Sequence, residues 1–178
     1  MHGMMMDELK KYVSAKVGES VWTQITNKAV GRPKIYFAHL NYSDEETSQI
    51  ISTISSALKR QREDWLFDFG AFITPDLIKL CKDLIGPTWR TLDFLEHTEQ
   101  IIHDTIRKNW QVFPPILKCQ RTSASEVLIE YSSPRKMCSV ARGLAQGVAT
   151  HYGETIQILE PSCMLQGAAK CLIAVRSA

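Results

Sequence analysis

Pro114-Pro115 divides this chain. Consecutive prolines remove backbone donors and push the preceding residue out of the helical region, so no helix crosses them and the chain leaves in extended form. Upstream, apolar residues recur at helical intervals; downstream, they alternate as in strands. The pattern reads as α+β: a helical N-terminal half, then a C-terminal half with a four-stranded antiparallel sheet and a long helix.

Leu9, Val13, Val17, Val21 and Ile25 keep helical spacing through the first thirty residues or so, and Gly18 is expected to split that run into two helices. Ser43-Asp44-Glu45-Glu46 has the form of a capping box, which starts a helix with Ile50, Ile54 and Leu58 as its buried stripe. Pro75-Asp76 is expected to open a short helix carrying Leu77, Leu80, Cys81 and Leu84, ended by Gly86-Pro87. A longer helix is expected from Thr91 to Asn109. Leu95, Ile102, Ile106 and Trp110 fall on one face of it, and His103 lies beside that stripe.

Beyond the prolines, Ile116 to Arg121 and Glu126 to Ser132 read as a strand pair. Ser133-Pro134 reads as a helix start, with serine as N-cap and proline at the first helical position. Gly143 and Gly147 give that helix a smooth face for close packing, and Gly153 suits its exit. Thr155 to Leu159 and Lys170 to Val175 form a second strand pair around Gly167.

At 178 residues the chain is one domain or two tightly joined halves. The net charge of +2 comes from scattered residues, and Lys59-Arg60-Gln61-Arg62 reads as a solvated helix end. A nucleic-acid reader concentrates basic charge on one stripe, so no nucleic-acid partner is expected. No apolar run approaches the ~20 residues needed to span a bilayer. The N-terminus lacks a charged region followed by an apolar one, so neither membrane nor export is expected. Five dispersed cysteines argue against a disulfide framework and for a reducing cytoplasm.

Two groups of residues carry chemistry. Tyr131 and Ser133 share a strand face, and Arg135 follows in what reads as a first helical turn. Hydroxyls, a guanidinium and free helix amides together suit a ligand with two carboxylates. The alternative stays open that Tyr131 packs, Ser133 caps and Arg135 is solvated. His103 likewise has two readings: a core histidine bonded to a carbonyl, or a neutral imidazole of the kind that ligates heme iron.

Taken in order, His103, Pro114-Pro115 and Tyr131-Ser132-Ser133-Pro134-Arg135, followed by a helix, resemble the heme–nitric oxide/oxygen-binding (H-NOX) family, which includes the heme domain of soluble guanylate cyclase. The Met1-His2-Gly3 start, Trp22 and Phe69-Gly70 fit as well, and the likeness spans essentially the whole chain. It implies a single heme domain over residues 1–178, with a helical part to about residue 60 and a heme-helix and sheet part from about 61. It further implies heme b held between those parts, with His103 on the iron, Tyr131, Ser133 and Arg135 on the propionates, and Pro115 pressed against the porphyrin. His97 is the competing ligand, disfavoured by its spacing to the prolines; His2, His39 and His151 are expected at the surface.

The resemblance points to a sensor without turnover that binds nitric oxide and carbon monoxide. The signal would pass by conformational change to a separate histidine kinase or cyclic-di-GMP enzyme. Oxygen-binding relatives carry a tyrosine where this chain has Val140, and the neighbourhood of Ile73 is apolar too. That disfavours stable oxygen binding, although Tyr12 and Trp22 stay open as donors. Cys138, Cys163 and Cys171 suggest a zinc site whose fourth ligand is open, Glu160 being nearest in sequence. Cys81 and Cys119 read as core residues. The alternative function is a thiol/zinc redox sensor on the same fold.

Overall fold

The computed structural model describes residues 1–110 and 113–178, with the backbone alone at 109–110. The chain divides into two compact units, Met1–Phe69 and Gly70–Ala178.

The first unit is helical. α1 (Gly3–Val17) and α2 (Glu19–Val30) are separated by Gly18, which turns the chain with a φ of +93°. Leu9, Val13 and Ile25 are buried as their spacing requires, but Val17, at the end of α1, is exposed. The Met-x-Gly start has a steric reason. A Cβ on Gly3 would lie 1.9 Å from the Phe37 carbonyl oxygen, and the Gly3 amide donates to the Leu40 carbonyl at 2.7 Å.

Ser43 caps α3 (Asp44–Leu58) by accepting from the Glu46 amide at 3.1 Å. The reciprocal half of the capping box is absent, because Glu46 accepts from Lys34 Nζ at 2.7 and 2.8 Å and from the Tyr36 hydroxyl at 2.5 Å. Burial pushes this carboxyl up, but the bonds from Lys34 and Tyr36 outweigh it and hold the pKa below the usual carboxylate range. Ile50, Ile51 and Ile54 form the buried stripe of α3.

α4 (Arg62–Leu80) corrects one expectation, since Pro75 does not open a new helix but lies inside this one. Proline leaves the carbonyl four residues back without its helical donor. That carbonyl, on Ala71, faces α7 (Cys138–Tyr152): it would lie 3.1 Å from a Cβ added at Gly147. A short 3-10 turn, Lys82–Leu84, follows.

The helix expected from Thr91 to Asn109 is present but not uniform. α5 (Thr91–His97) passes into a π-helical turn at Thr98–His103, then into α6 (Asp104–Trp110). Leu95 and Ile102 are buried and Ile106 packs on their neighbours; the side chain of Trp110 lies outside the described ones.

The sheet has the order β1-β2-β4-β3 and is antiparallel throughout, from β1 (Ile116–Ser123), β2 (Glu126–Ser132), β3 (Ile156–Ser162) and β4 (Cys171–Ser177). Val127, Ile129 and Tyr131 point inward from β2 in strict alternation, meeting Ile173 and Val175 of β4 and Leu92 and Leu95 of α5. Arg121 of β1 donates to Asp93 at 2.6 Å and to Glu96 at 2.9 Å, which fixes α5 across the sheet.

The second correction concerns Ser133-Pro134. It forms a turn closed by the Lys136 amide on the Ser133 carbonyl at 3.1 Å, with Lys136 at a left-handed φ of +48°, and α7 begins only at Cys138. Proline at the second position suits a turn as well as a helix start, and sequence alone does not separate the two.

Candidate functional site

His103 closes the π turn, and its side chain is 14% exposed. Its Nδ1 lies 2.9 Å from Glu99 Oε2. An ionised carboxylate only accepts, so Nδ1 carries a proton; in the neutral imidazole the lone pair is then on Nε2. Nε2 makes no hydrogen bond among the described residues. Glu99 is itself held: Arg107 donates to Oε1 at 2.7 Å, and the Leu117 amide donates to Oε2 at 3.1 Å. Burial raises the Glu99 carboxyl, but the bonds from His103 and Arg107 outweigh it and leave its pKa depressed. Arg107 also reaches Asp104 at 2.9 Å and the Pro115 carbonyl at 3.4 Å, tying the histidine's helix to the Pro-Pro segment.

Sequence reasoning did not single out Glu99. The signal was available in Glu99-x-x-x-His103-x-x-x-Arg107, since residues four apart share a helical face. The competing His97 stacks on Trp89 at 4.7 Å and bonds the Asp93 carbonyl through Nδ1 at 2.8 Å. His39 and His151 are exposed, whereas His2 caps α1, its Nδ1 accepting from the Met4 amide at 3.4 Å.

Tyr131 and Ser133 come together as their spacing requires. Both are buried and hydrogen-bonded to each other, and the Tyr131 hydroxyl also accepts from the Met137 amide at 3.1 Å. Burial pushes the Tyr131 phenol up, so it stays a neutral donor and acceptor. Arg135 lies in the Ser133–Lys136 turn, not in a helix, and its amide donates to Ser133 Oγ at 3.3 Å. Free amides of a helix N-terminus therefore play no part at Arg135. Leu117, whose amide bonds Glu99, is the register partner of Tyr131 across β1 and β2. The histidine network and the Tyr-x-Ser-x-Arg segment are thus joined through one sheet position.

Val140 and Ile73 are buried. α4 and α7 meet here almost backbone to backbone: a Cβ at Gly70 would lie 2.4 Å from the Val140 carbonyl oxygen and 3.0 Å from Gly143 Cα. Thr74, buried beside Gly147, donates to the Gly70 carbonyl at 2.9 Å. Gly143 and Gly147 thus serve the close packing read from their spacing. In the first unit, Tyr12 packs on Trp65 and Phe69, and Trp22 meets Tyr36 edge-on beside a cavity of about 390 Å³.

The thiols form a second group. Cys138 Sγ lies 3.6 Å from Cys163 Sγ, which lies 3.7 Å from Cys171 Sγ, and with a Glu160 oxygen all ligand atoms fall within 4.8 Å of one another. Glu160 Oε1 is buried without a hydrogen-bond partner, while Arg142 lies 3.5 Å from Oε2. Burial, reinforced for Cys138 by the Glu160 charge, raises the Cys138 and Cys171 thiols. Cys81 is buried, and half-buried Cys119 is pushed up to about 12 by burial and the charge of Glu99.

The chemistry of this donor set fits heme: an imidazole whose Nδ1 is anchored and whose Nε2 is unengaged among the described residues, linked through Glu99 and Leu117 to a segment whose hydroxyls and guanidinium suit carboxylates. An α+β fold carrying that set points to a heme-binding class of domain. Residues 2–160 match the family described as haem-NO-binding. The chain belongs to that family, whose members bind heme. No curated protein sequence matches.

Among solved structures, an H-NOX protein from S. oneidensis in the Fe(II)NO ligation state is 26% identical, covering 100% of this chain and 99% of that one at a TM-score of 0.92. The Shewanella oneidensis SO2144 H-NOX domain in the Fe(II)CO state is also 26% identical, at 0.88 with the same coverage. The Fe(II) unliganded H-NOX protein from K. algicida is 18% identical, covering 100% and 97% at 0.89, and carries the fold alone. No helix among the described residues is long and apolar enough to cross a membrane.

Proposed function

We propose that this chain is a heme-based nitric oxide sensor that signals to a separate effector and performs no turnover. The observation that carries the reading is His103, anchored at Nδ1 by Glu99 and unengaged at Nε2. Bound heme would supply a ferrous iron able to take nitric oxide or carbon monoxide, the ligands named for the S. oneidensis relatives. His103 would hold that iron through Nε2. Tyr131, Ser133 and Arg135 would take the propionates, the guanidinium forking to one carboxylate, and Pro115 would press on the ring. A histidine kinase or a cyclic-di-GMP enzyme would be the partner that receives the signal.

Selectivity would rest on Val140 and Ile73, buried apolar residues that offer no donor to a polarised ligand, with Tyr12 and Trp22 as the other candidate donors. A charge-assisted hydrogen bond is worth roughly 1.5–3 kcal/mol, so its absence weakens oxygen binding by about ten- to a hundred-fold. Nitric oxide binds ferrous heme strongly without such a donor. The test is the absorption spectrum of the purified, reduced protein under nitric oxide, carbon monoxide and air. Shifted bands with the first two and simple oxidation in air are expected; a persistent oxygen-bound spectrum would overturn the selectivity, and the lack of any heme spectrum would overturn the function.

The thiol group supports a further role for zinc in the same chain. A tetrahedral site with Zn–S bonds of about 2.3 Å has edges near 3.8 Å, which the sulfur spacings of 3.6 and 3.7 Å approach. Cys138, Cys163 and Cys171 would be ligands, and Glu160, whose buried oxygen has no hydrogen-bond partner among the described residues, would be the fourth. Oxidation of these thiols would release the metal and make the site redox-sensitive.

A further inference from the structure

We infer that Glu99 is the positioning residue that sets the strength of the His103–iron bond and links it to strand β1; this rests on the proposal that His103 ligates heme. The geometry is a carboxylate–imidazole pair. Glu99 Oε2 accepts from His103 Nδ1 at 2.9 Å, with the acid 19% and the histidine 14% exposed, so water screens the contact weakly.

An acceptor on Nδ1 fixes ring orientation and tautomer and makes Nε2 a stronger donor to a metal. A charged acceptor does so more than a neutral one, because it draws the Nδ1 proton more strongly toward itself and so raises the electron density of the ring and of Nε2. Arg107 aims Glu99 through its 2.7 Å bond to the other oxygen.

Glu99 has one further partner, and it is what distinguishes this arrangement from a simple histidine anchor. Its Oε2 is shared between His103 Nδ1 and the Leu117 amide, at 2.9 and 3.1 Å. Leu117 stands opposite Tyr131 in the sheet register. A carboxylate oxygen serving two donors cannot follow one without straining the other. Any displacement of the imidazole is therefore felt at β1, beside Pro115, whose carbonyl receives Arg107. The π turn at Thr98–His103 carries both Glu99 and His103, so a local change in winding moves the pair together.

The test is the iron–histidine stretching band in resonance Raman spectra of the ferrous, ligand-free protein, recorded for the unsubstituted chain, Glu99→Gln, Glu99→Ala and Glu96→Gln. All are reconstituted with excess heme, so that weaker retention does not hide the band. Glu96 pairs with Arg121 and does not touch His103, so Glu96→Gln is the control for general loss of a carboxylate from this helix.

The band is expected to fall in frequency for Glu99→Gln, which keeps an acceptor but not the charge, and further for Glu99→Ala. Glu96→Gln should leave it unchanged. Equal frequencies in all four proteins would overturn the role of Glu99 while leaving His103 as ligand. No iron–histidine band in the unsubstituted protein would instead overturn the heme-ligand reading itself. A fall in Glu96→Gln equal to that in Glu99→Gln would make the effect non-specific and also overturn the inference.

Discussion

Gly70→Ala should destabilise this protein although it places alanine in a helix. The added Cβ would stand 2.4 Å from the Val140 carbonyl oxygen, 2.9 Å from the Leu144 amide nitrogen and 3.0 Å from Gly143 Cα, where ordinary contacts lie at 3.4–4 Å. All three are backbone atoms, so no rotamer change relieves the clash, and α7 must move by about 1 Å against a packed interior. Overpacking of this kind costs roughly 1–3 kcal/mol. A clash with backbone atoms alone falls in the upper part of that range, about 2–3 kcal/mol, and alanine returns about 1 kcal/mol of helix propensity, leaving a net loss of about 1–2 kcal/mol. For a chain this size that lowers Tm by roughly 2–8 °C, read by circular dichroism on heating. The displaced backbone carries Val140, so the carbon monoxide spectrum should also change. A Tm equal to or above that of the unsubstituted protein would refute the close helix contact and the reasoning built on it.

Much of the fold was legible because its signals are local. Gly18, the Ser43 cap, the doubled proline and the alternation through Val127, Ile129 and Tyr131 each act within a few residues, and each element formed where they indicate. The errors share a cause: proline has several permitted sites. Pro75 is tolerated inside α4, its lost amide leaving the Ala71 carbonyl to face α7. Pro134 sits in a turn closed by Lys136, and three residues separate it from the start of α7 at Cys138. Of the candidate site, the residue types were readable but their partners were not. Glu99 is visible only as one carboxylate among many until Leu117, Arg107 and His103 converge on it. Glu160 was the nearest candidate in sequence, and the sheet brings its carboxylate to the three thiols.

Three further outcomes are expected. Glu46 has a depressed pKa, so its contribution to stability is complete above the unfolded value of about 4.3 and is lost as pH falls through the lower folded value. Glu46→Gln should therefore lower Tm at about pH 7 by more than at about pH 3; an equal deficit at both would contradict this. Arg135→Ala should speed heme transfer to an apo-globin acceptor more than Lys118→Ala, whose exposed ammonium lies 3.8 Å from Glu130 on the same sheet; equal rates would remove Arg135 from the site. Elemental analysis of reduced protein should find up to about one zinc per chain, fewer in Glu160→Gln, and none after thiol oxidation; zinc-free reduced protein would eliminate the metal site.

The central claim is tested most directly by His103→Gly, purified with and without imidazole and followed by its Soret absorption. Without imidazole the variant should lose most of its heme or hold it with an altered spectrum, and free imidazole should restore the ferrous spectrum by filling the position left by the side chain. Unchanged heme content and an unchanged Soret band in the imidazole-free variant would show that His103 is not the iron ligand.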